Sequence, residues 1–159
     1  MKEQAPPIGT KCPECGKGHL VALTRLEEFD FDLGEEKVKV RAENVPVRQC
    51  DVCGEIMSGP AAAKVRHEAV CRAAGFLTPA EYKAIREEQG LSQQHLADLT
   101  GSGVATVSRA ERGRLMPNRI YDKVLRAFRD SPAFREYLQG LLAAGRESGE
   151  GAKVFSGVH

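Results

Sequence analysis

The sequence contains no apolar run long enough to cross a membrane. A transmembrane helix needs about 20 consecutive apolar residues, and every apolar stretch in these 159 residues is interrupted well before that length. The first residues, MKEQAPPIG, also lack the apolar segment of a secretory signal peptide. We therefore expect a cytoplasmic protein with no membrane partner.

The sequence also lacks a strong excess of charge of either sign. Lys and Arg number 23 against 22 Asp and Glu, so the overall charge neither favours nor excludes a nucleic-acid partner. Between residues 104 and 129, however, seven basic residues stand against two acidic ones, Glu111 and Asp122. Such a local excess is expected for contact with phosphates, although a solvated basic face without a partner gives the same pattern. The basic residues are Arg109, Arg112, Arg114, Arg119, Lys123, Arg126 and Arg129.

Cysteine is scarce outside two short motifs, CPECG and CDVCG. The two-residue spacing lets both thiolates of a pair reach one ion, and the glycine that follows allows the backbone to turn beneath the sulfurs. Two such knuckles supply the four ligands of a closed tetrahedral site, which zinc usually occupies. Paired cysteines in a cytoplasmic protein also hold metal more often than they form disulfides. We predict one structural Zn²⁺ ion bound by Cys12, Cys15, Cys50 and Cys53.

Other interpretations of these possible ligands are less favoured. A redox-active CxxC pair is one, but two comparable pairs favour metal. A catalytic zinc keeps an open position, which four thiolates do not leave; since no nucleophile with a general base is recognisable either, we expect no enzymatic activity. His19 lies near the first pair and could be a ligand, but a place in a strand is favoured. His67 and Cys71 stand four residues apart on a predicted helix, and we interpret them as ordinary helix residues.

The 34 residues between Cys15 and Cys50 have to be structured. Alternating apolar and polar residues predict strands over 19–26 and 38–41, a turn over 33–35, and a third strand over 45–50. Pro46 is expected at a sheet edge because it has no N–H to donate. A domain this small buries too little apolar surface to be stable alone, so the zinc should be structural.

The stretch over 91–113, LSQQHLADLTGSGVATVSRAERG, has the pattern of two short helices joined by a tight turn. Ser92 can cap the first helix, and Gly101 suits the turn. The second helix, predicted over 103–112, buries small apolar residues and turns Ala105, Thr106 and Arg109 outward. This is the helix-turn-helix pattern, in which the second helix reads the major groove of DNA.

Helices are also predicted on both sides of this motif. The residues TPAE at 78–81 form a capping box at the start of one helix. A helix over 120–128 should close the core, and a last helix from Ser131 carries a broad apolar stripe that must be covered by its own domain or by a second copy. The core-closing residues are Ile120, Val124, Leu125 and Phe128, and the stripe consists of Phe134, Tyr137, Leu138, Leu141 and Leu142.

Together these patterns predict an α+β chain, with a small zinc-bound β domain followed by an all-α helix-turn-helix domain. The zinc-binding β domain is expected over 1–59 and a helical linker over 60–76, where helix propensity is high. The DNA-binding and dimerisation domain is expected over 77–144, and a disordered tail rich in Gly and Ser over 145–159.

The motifs resemble those of known families. The run LSQ..LA...G......S..ERG within 91–113 resembles the Xre/Cro repressor-like family. Residues 10–140 resemble the MqsA-type antitoxins, which join a YgiT-type zinc finger to such a motif; the resemblance rests on CPECG, VPVRQCDVCGE, TPAEYKAIREEQGLSQ and SRAERG. It implies that the zinc half binds a small toxin, commonly a ribonuclease, while the other half dimerises and represses its own operon at operator DNA. A plain zinc-containing transcriptional regulator without a toxin partner is the alternative.

The resemblance also implies roles for individual residues. It assigns phosphate contacts to Ser92, Gln93 and Arg119, and an ion pair between Arg86 and Glu111. The reading helix of the family often presents an asparagine and an arginine four residues apart, and here alanine stands in the place of the asparagine. The bidentate adenine contact is therefore absent, and the operator sequence should differ. The candidate DNA-binding residues are Ser92, Gln93, Ala105, Thr106, Arg109 and Arg119.

Overall fold

A computed structural model of the chain describes residues 5–151, with side chains up to residue 146. It divides into two compact units, Met1–Phe76 and Leu77–His159. The predicted α+β class is confirmed. The strands are β1 (Leu20–Leu33), β2 (Glu36–Cys50) and β3 (Ile56–Ser58); the helices are α1 (Pro60–Ala73), α2 (Pro79–Glu88), α3 (Gln93–Thr100), α4 (Val104–Glu111), α5 (Arg119–Asp130) and α6 (Pro132–Gly151).

The first unit is built on one long antiparallel hairpin. Leu33 pairs with Glu36 across the turn, and Leu20 pairs with Cys50 at the other end. The turn was predicted correctly, but the two strands expected over 38–41 and 45–50 are a single strand. The register shifts where Leu26 faces two residues of β2, and this bulge moves the alternation of the sequence out of phase. Asn44, with φ of +56°, lies in it.

Pro46 lies in the central strand of the sheet, whose order is β1-β2-β3. It pairs with Thr24 of β1, but β3 begins to pair with β2 only at Val47. At Pro46 the central strand therefore has a neighbour on one side only. Pro46 is therefore not in an edge strand as expected, but it stands where the central strand lacks its second neighbour, so its missing N–H costs no hydrogen bond to β3.

Helix α1, predicted as a linker, packs against β2 within the first unit. An arginine on the helix fixes it to the hairpin: Arg66 Nε and Nη2 donate to the two carboxylate oxygens of Glu27, at 2.6 and 2.9 Å. Its Nη1 also donates to Ser58 Oγ at 3.1 Å. Bidentate pairs of this kind hold their partners in one orientation. The helix is therefore part of the zinc-binding unit.

The second unit is a helical domain around one apolar core. The capping box predicted at its start is present: Thr78 Oγ1 accepts from Glu81 N, and the Glu81 carboxylate accepts from Thr78 N. The expectation for Ile120 was wrong, because its side chain is 74% exposed. The other three predicted residues are confirmed, since Leu125 and Phe128 are buried and Val124 packs against the core; Tyr121 takes the place expected for Ile120. The core residues are Leu77, Tyr82, Ile85, Leu96, Ala97, Leu99, Val107, Ala110, Tyr121, Leu125 and Phe128.

The apolar stripe on α6 divides into a covered and an exposed part. Phe134, Leu138 and Leu142 pack against the core, whereas Tyr137 is 62% and Leu141 52% exposed. The helix continues to Gly151, so the first residues of the expected disordered tail are helical. Extending a formed helix costs much less than nucleating one. The rest of that tail, residues 152–159, lies outside the described residues.

None of the helices in the described part of the chain combines the length and the apolar character that crossing a membrane requires.

Candidate metal centre and nucleic-acid interface

The two cysteine pairs form matching knuckles at the base of the hairpin. In the first, Gly16 N donates to Cys12 O at 2.9 Å; in the second, Gly54 N donates to Cys50 O at 3.1 Å. Both glycines have positive φ, +62° and +75°, a conformation that glycine adopts without steric cost. Glycine after the second cysteine of each pair therefore lets the backbone turn beneath the sulfurs, as predicted.

The four sulfurs have the spacing of a tetrahedral zinc site. All of them lie within 4.8 Å of one another. Cys12 Sγ is 3.7 Å from Cys53 Sγ, and Cys15 Sγ is 3.7 Å from Cys50 Sγ. Ligands at the usual Zn–S distance of about 2.3 Å around a tetrahedral ion are about 3.8 Å apart. These cysteines form a zinc-binding site, and a closed Cys₄ set is of the structural type.

The backbone around the site aims N–H groups at the sulfurs. The N–H groups of Gly18 and Lys17 lower the pKa of Cys15 to about 6, and Gly18 N lies 3.4 Å from that sulfur. At Cys53 the N–H of Glu55 lowers the pKa, but desolvation and the adjacent sulfurs outweigh it and raise the pKa to about 12. Four close thiols cannot all ionise without a cation, so a divalent ion is needed to hold them as thiolates.

Two residues that the sequence interpretation did not single out, one in each knuckle, lie where the knuckles meet. A Cβ on Gly18 would lie 2.4 Å from Cys50 Sγ. Asp51 joins the two knuckles, because its carboxylate accepts from His19 N at 2.8 Å and its own N donates to His19 O at 3.1 Å. No helix or strand periodicity marks these positions, so pattern alone could not find them.

The remaining metal candidates stay outside the zinc site. His19 forms a bridge with Lys11, which agrees with a strand role. His67 and Cys71 lie on α1. Among the residues that the structure describes, the only group able to hold a metal is the four cysteines.

The helix-turn-helix lies where it was predicted, as α3 and α4. Ser92 Oγ caps α3 by accepting from His95 N at 3.0 Å. Gly101 ends α3 with φ of +69°, and α4 buries Val107 and Ala110. Ala105 and Arg109, on the other side of α4, are exposed.

A buried ion pair fixes the end of α4. Arg86 Nε and Nη2 donate to the two oxygens of Glu111 at 2.6 and 3.0 Å, and Arg86 Nη1 donates to Leu91 O at 2.8 Å. Gln93 Nε2 adds a bond of 2.8 Å to the same carboxylate. The network connects α2, the start of α3 and the end of α4, so it holds the second helix of the motif in one orientation.

Comparison with known protein families matches residues 10–139 to the antitoxin component of bacterial toxin-antitoxin systems, MqsA. The match covers most of the chain, including both cysteine pairs and the helix-turn-helix. The chain belongs to the MqsA antitoxin family. A comparison with curated proteins found no match. Membership in the MqsA family supports an antitoxin role over that of a plain transcriptional regulator, and it agrees with the zinc site.

The structure of this MqsA-family antitoxin spreads the candidate DNA-binding residues over three elements. Ala105 and Arg109 are exposed on α4, with Thr106 half-buried beside them. Arg119 is exposed at the first position of α5. Ser92 is exposed, whereas Gln93 is half-buried against Glu111. Gln93 thus has a structural partner in Glu111. Its phosphate contact stays a prediction, as do the DNA contacts of the other five residues.

The basic run of this chain is not uniformly available to a ligand. Arg126 Nε lies 2.7 Å from the carboxylate of Asp122, and Arg129 Nε lies 2.6 Å from that of Asp130. Arg109 is exposed and forms no ion pair with any other residue that the structure describes. The positive charge most available to phosphates therefore lies on α4 and in the segment that follows it.

Proposed function

We propose that this antitoxin binds operator DNA through α4, as a dimer that represses its own operon, and neutralises a toxin through its zinc-binding unit. The DNA-binding part of this proposal rests on the outward face of α4. It presents Ala105, Thr106 and Arg109 on a helix that the Arg86 and Glu111 pair holds in place. A helix held in this way can enter the major groove without reorganising.

Dimerisation follows from the size of the site that one helix can read. A single reading helix contacts few base pairs, and two-fold symmetry places a second one about 34 Å away, one turn along the DNA. The exposed Tyr137 and Leu141 of α6 offer apolar surface to a second copy. The operator is therefore expected to be pseudo-palindromic.

Arg109→Ala should weaken operator binding by about 1–3 kcal/mol and relax the preference at one base pair, because arginine reads guanine through two hydrogen bonds. The measurement is footprinting and titration on the upstream region at fixed salt, with single-base variants of each half-site. Arg129→Ala is the matched control, since it removes an arginine that is already paired with Asp130. Wild-type affinity and base preference in Arg109→Ala would show that this residue does not read DNA.

The toxin-binding proposal rests on charge. Residues 1–76 carry 11 Lys and Arg against 12 Asp and Glu, and a zinc ion with four thiolates adds two negative charges. A unit with negative charge is a poor partner for DNA. It suits a basic protein such as an RNA-cleaving toxin, whose association electrostatic complementarity accelerates.

We expect residues 1–76 to rescue growth when co-expressed with the toxic product of the adjacent small gene, and residues 77–159 to fail. Two full-length variants check the assignment. Arg109→Ala should still neutralise the toxin, whereas Cys50→Ser should not, because it removes a zinc ligand. Rescue by residues 77–159 alone, or no toxicity from any neighbouring gene, would refute the assignment of toxin binding to the zinc unit.

A further inference from the structure

The hydrogen-bond ladder between β1 and β2 continues one residue pair beyond the strands, into the knuckles, because a side chain supplies one of the two bonds. The last regular pair at this end is Leu20 with Cys50. At the next step Asp51 N donates to His19 O at 3.1 Å, as in a ladder. The return bond from His19 N goes to Asp51 Oδ1 at 2.8 Å, because the chain turns into the second knuckle here. The carboxylate thus replaces a backbone acceptor.

Gly18 connects the same two knuckles by its lack of a side chain. Its carbonyl accepts from Cys12 N at 2.8 Å and its N–H points at Cys15 Sγ, so its backbone belongs to the first knuckle. A Cβ there would lie 2.4 Å from Cys50 Sγ and 2.6 Å from Asp51 Oδ1, both in the second knuckle. Gly18 is not among the glycines with positive φ, so size and not backbone freedom explains it.

We propose that Gly18 and Asp51 are positioning residues that set the distance between the two cysteine pairs, so that the four sulfurs stand at tetrahedral spacing before zinc binds. Neither residue supplies a ligand. Gly18 allows the knuckles to approach closely, and Asp51 holds them there. They should therefore control how tightly zinc is bound and how fast it is released.

The test uses the full chain, with zinc affinity measured by competition with a chelator and the ligand geometry read from the absorption spectrum of the Co²⁺ form. Asp51→Ala should lower zinc affinity about tenfold and Gly18→Ala about a hundredfold, the range found when groups supporting metal ligands are removed. Gly18→Ala should also shift the Co²⁺ bands, because its methyl group displaces Cys50. Asp51→Asn should stay close to wild type, since an amide oxygen accepts the same bond.

Two controls separate positioning from general stability. Gly34→Asn places a side chain at the far turn of the hairpin, where a Cβ meets nothing within 4 Å beyond its chain neighbours. The left-handed conformation there is one that asparagine tolerates, and this variant should leave zinc affinity unchanged. Arg66→Ala loosens α1 from Glu27, away from the sulfurs, and should leave the Co²⁺ spectrum unchanged.

Wild-type zinc affinity and Co²⁺ spectra in both Gly18→Ala and Asp51→Ala would overturn the proposal. So would a spectral change in Arg66→Ala as large as that in Gly18→Ala. If Gly18→Ala does not fold, the comparison of Asp51→Ala with Asp51→Asn decides, because only the alanine variant should lose affinity.

Discussion

Cys50→Ser is expected to unfold the zinc-binding unit while the helical unit stays folded. Structural zinc contributes about 10–16 kcal/mol of binding free energy in zinc-finger peptides, which is more than the core of a small domain supplies. Cys50 is also more than a ligand: its sulfur accepts from the N–H of Val52 at 3.4 Å and lies against Gly18. Loss of this sulfur therefore removes the metal and a packing partner together.

Amide dispersion in NMR spectra measures this outcome for each unit separately. Signals from the first unit should collapse in Cys50→Ser and after chelation of wild-type protein, and those from the second unit should persist. Cys71→Ala is the control, because it replaces a buried cysteine outside the zinc site and should retain one zinc per chain. Unchanged signals from the first unit in Cys50→Ser, or zinc-free wild-type protein that is fully folded, would show that metal does not hold this unit together.

Asp122→Ala is expected to destabilise the helical unit by about 3–5 kcal/mol, the cost of breaking a buried charged network. The Asp122 side chain is 7% exposed. Its Oδ1 accepts from Leu77 N at 2.7 Å and from Tyr82 Oη at 2.8 Å, and its Oδ2 from Arg126 Nε at 2.7 Å. Alanine removes the carboxylate that accepts from two buried donors, Leu77 N and Tyr82 Oη. For a unit of this size, the melting temperature should fall by roughly 12–40 °C.

The pKa of Asp122 determines how the stability of the helical unit changes with pH. Burial alone would raise the pKa of Asp122, but the N–H of Leu77, the guanidinium of Arg126 and the hydroxyl of Tyr82 outweigh it and lower the pKa. The carboxylate therefore stabilises the unit above its unfolded pKa of about 3.9, and that contribution is lost as the pH falls through the lower, folded value.

Thermal unfolding followed between pH 2 and pH 7 measures both effects. The difference in stability between wild type and Asp122→Ala should shrink in acid. Asp130→Ala removes an exposed carboxylate from the same helix, which pairs with Arg129, and should melt like wild type. A small change in Asp122→Ala at neutral pH, or a difference that does not shrink in acid, would contradict the assigned role of the network.

The features that could be predicted from the sequence are those that short chemical patterns determine. The CxxCG pairs require a close approach of sulfurs, which the structure shows at Cys12 and Cys53. Ser92 and Gly101 mark where α3 begins and ends. In these cases the chemistry of one or two residues sets the local backbone, whatever surrounds it.

The features that could not be predicted depend on partners distant in the chain. Asp122 was counted only as an acidic residue within a basic run, and its buried position depends on Leu77 and Tyr82, more than 35 residues away. The bulge opposite Leu26 shifts the phase of the alternation between apolar and polar residues in β2, so the sequence pattern predicted two strands where the structure has one. Ile120 is apolar yet exposed, and only the packing of α5 decides which side of the helix is buried.

Because the hairpin is paired along its length, the geometry of the zinc site does not depend on how many residues lie between the two cysteine pairs. Closing a flexible loop of 34 residues costs entropy that the metal would otherwise have to offset, but the pairing of Leu20 with Cys50 already brings the ends together. One residue added to each strand beside the turn at 34–35 lengthens the hairpin and leaves the pairing of Leu20 with Cys50 unchanged. A residue added to one strand alone turns the side chains that follow to the opposite face. The hairpin can therefore change its length in steps of two residues, one in each strand, without altering how the protein holds its metal.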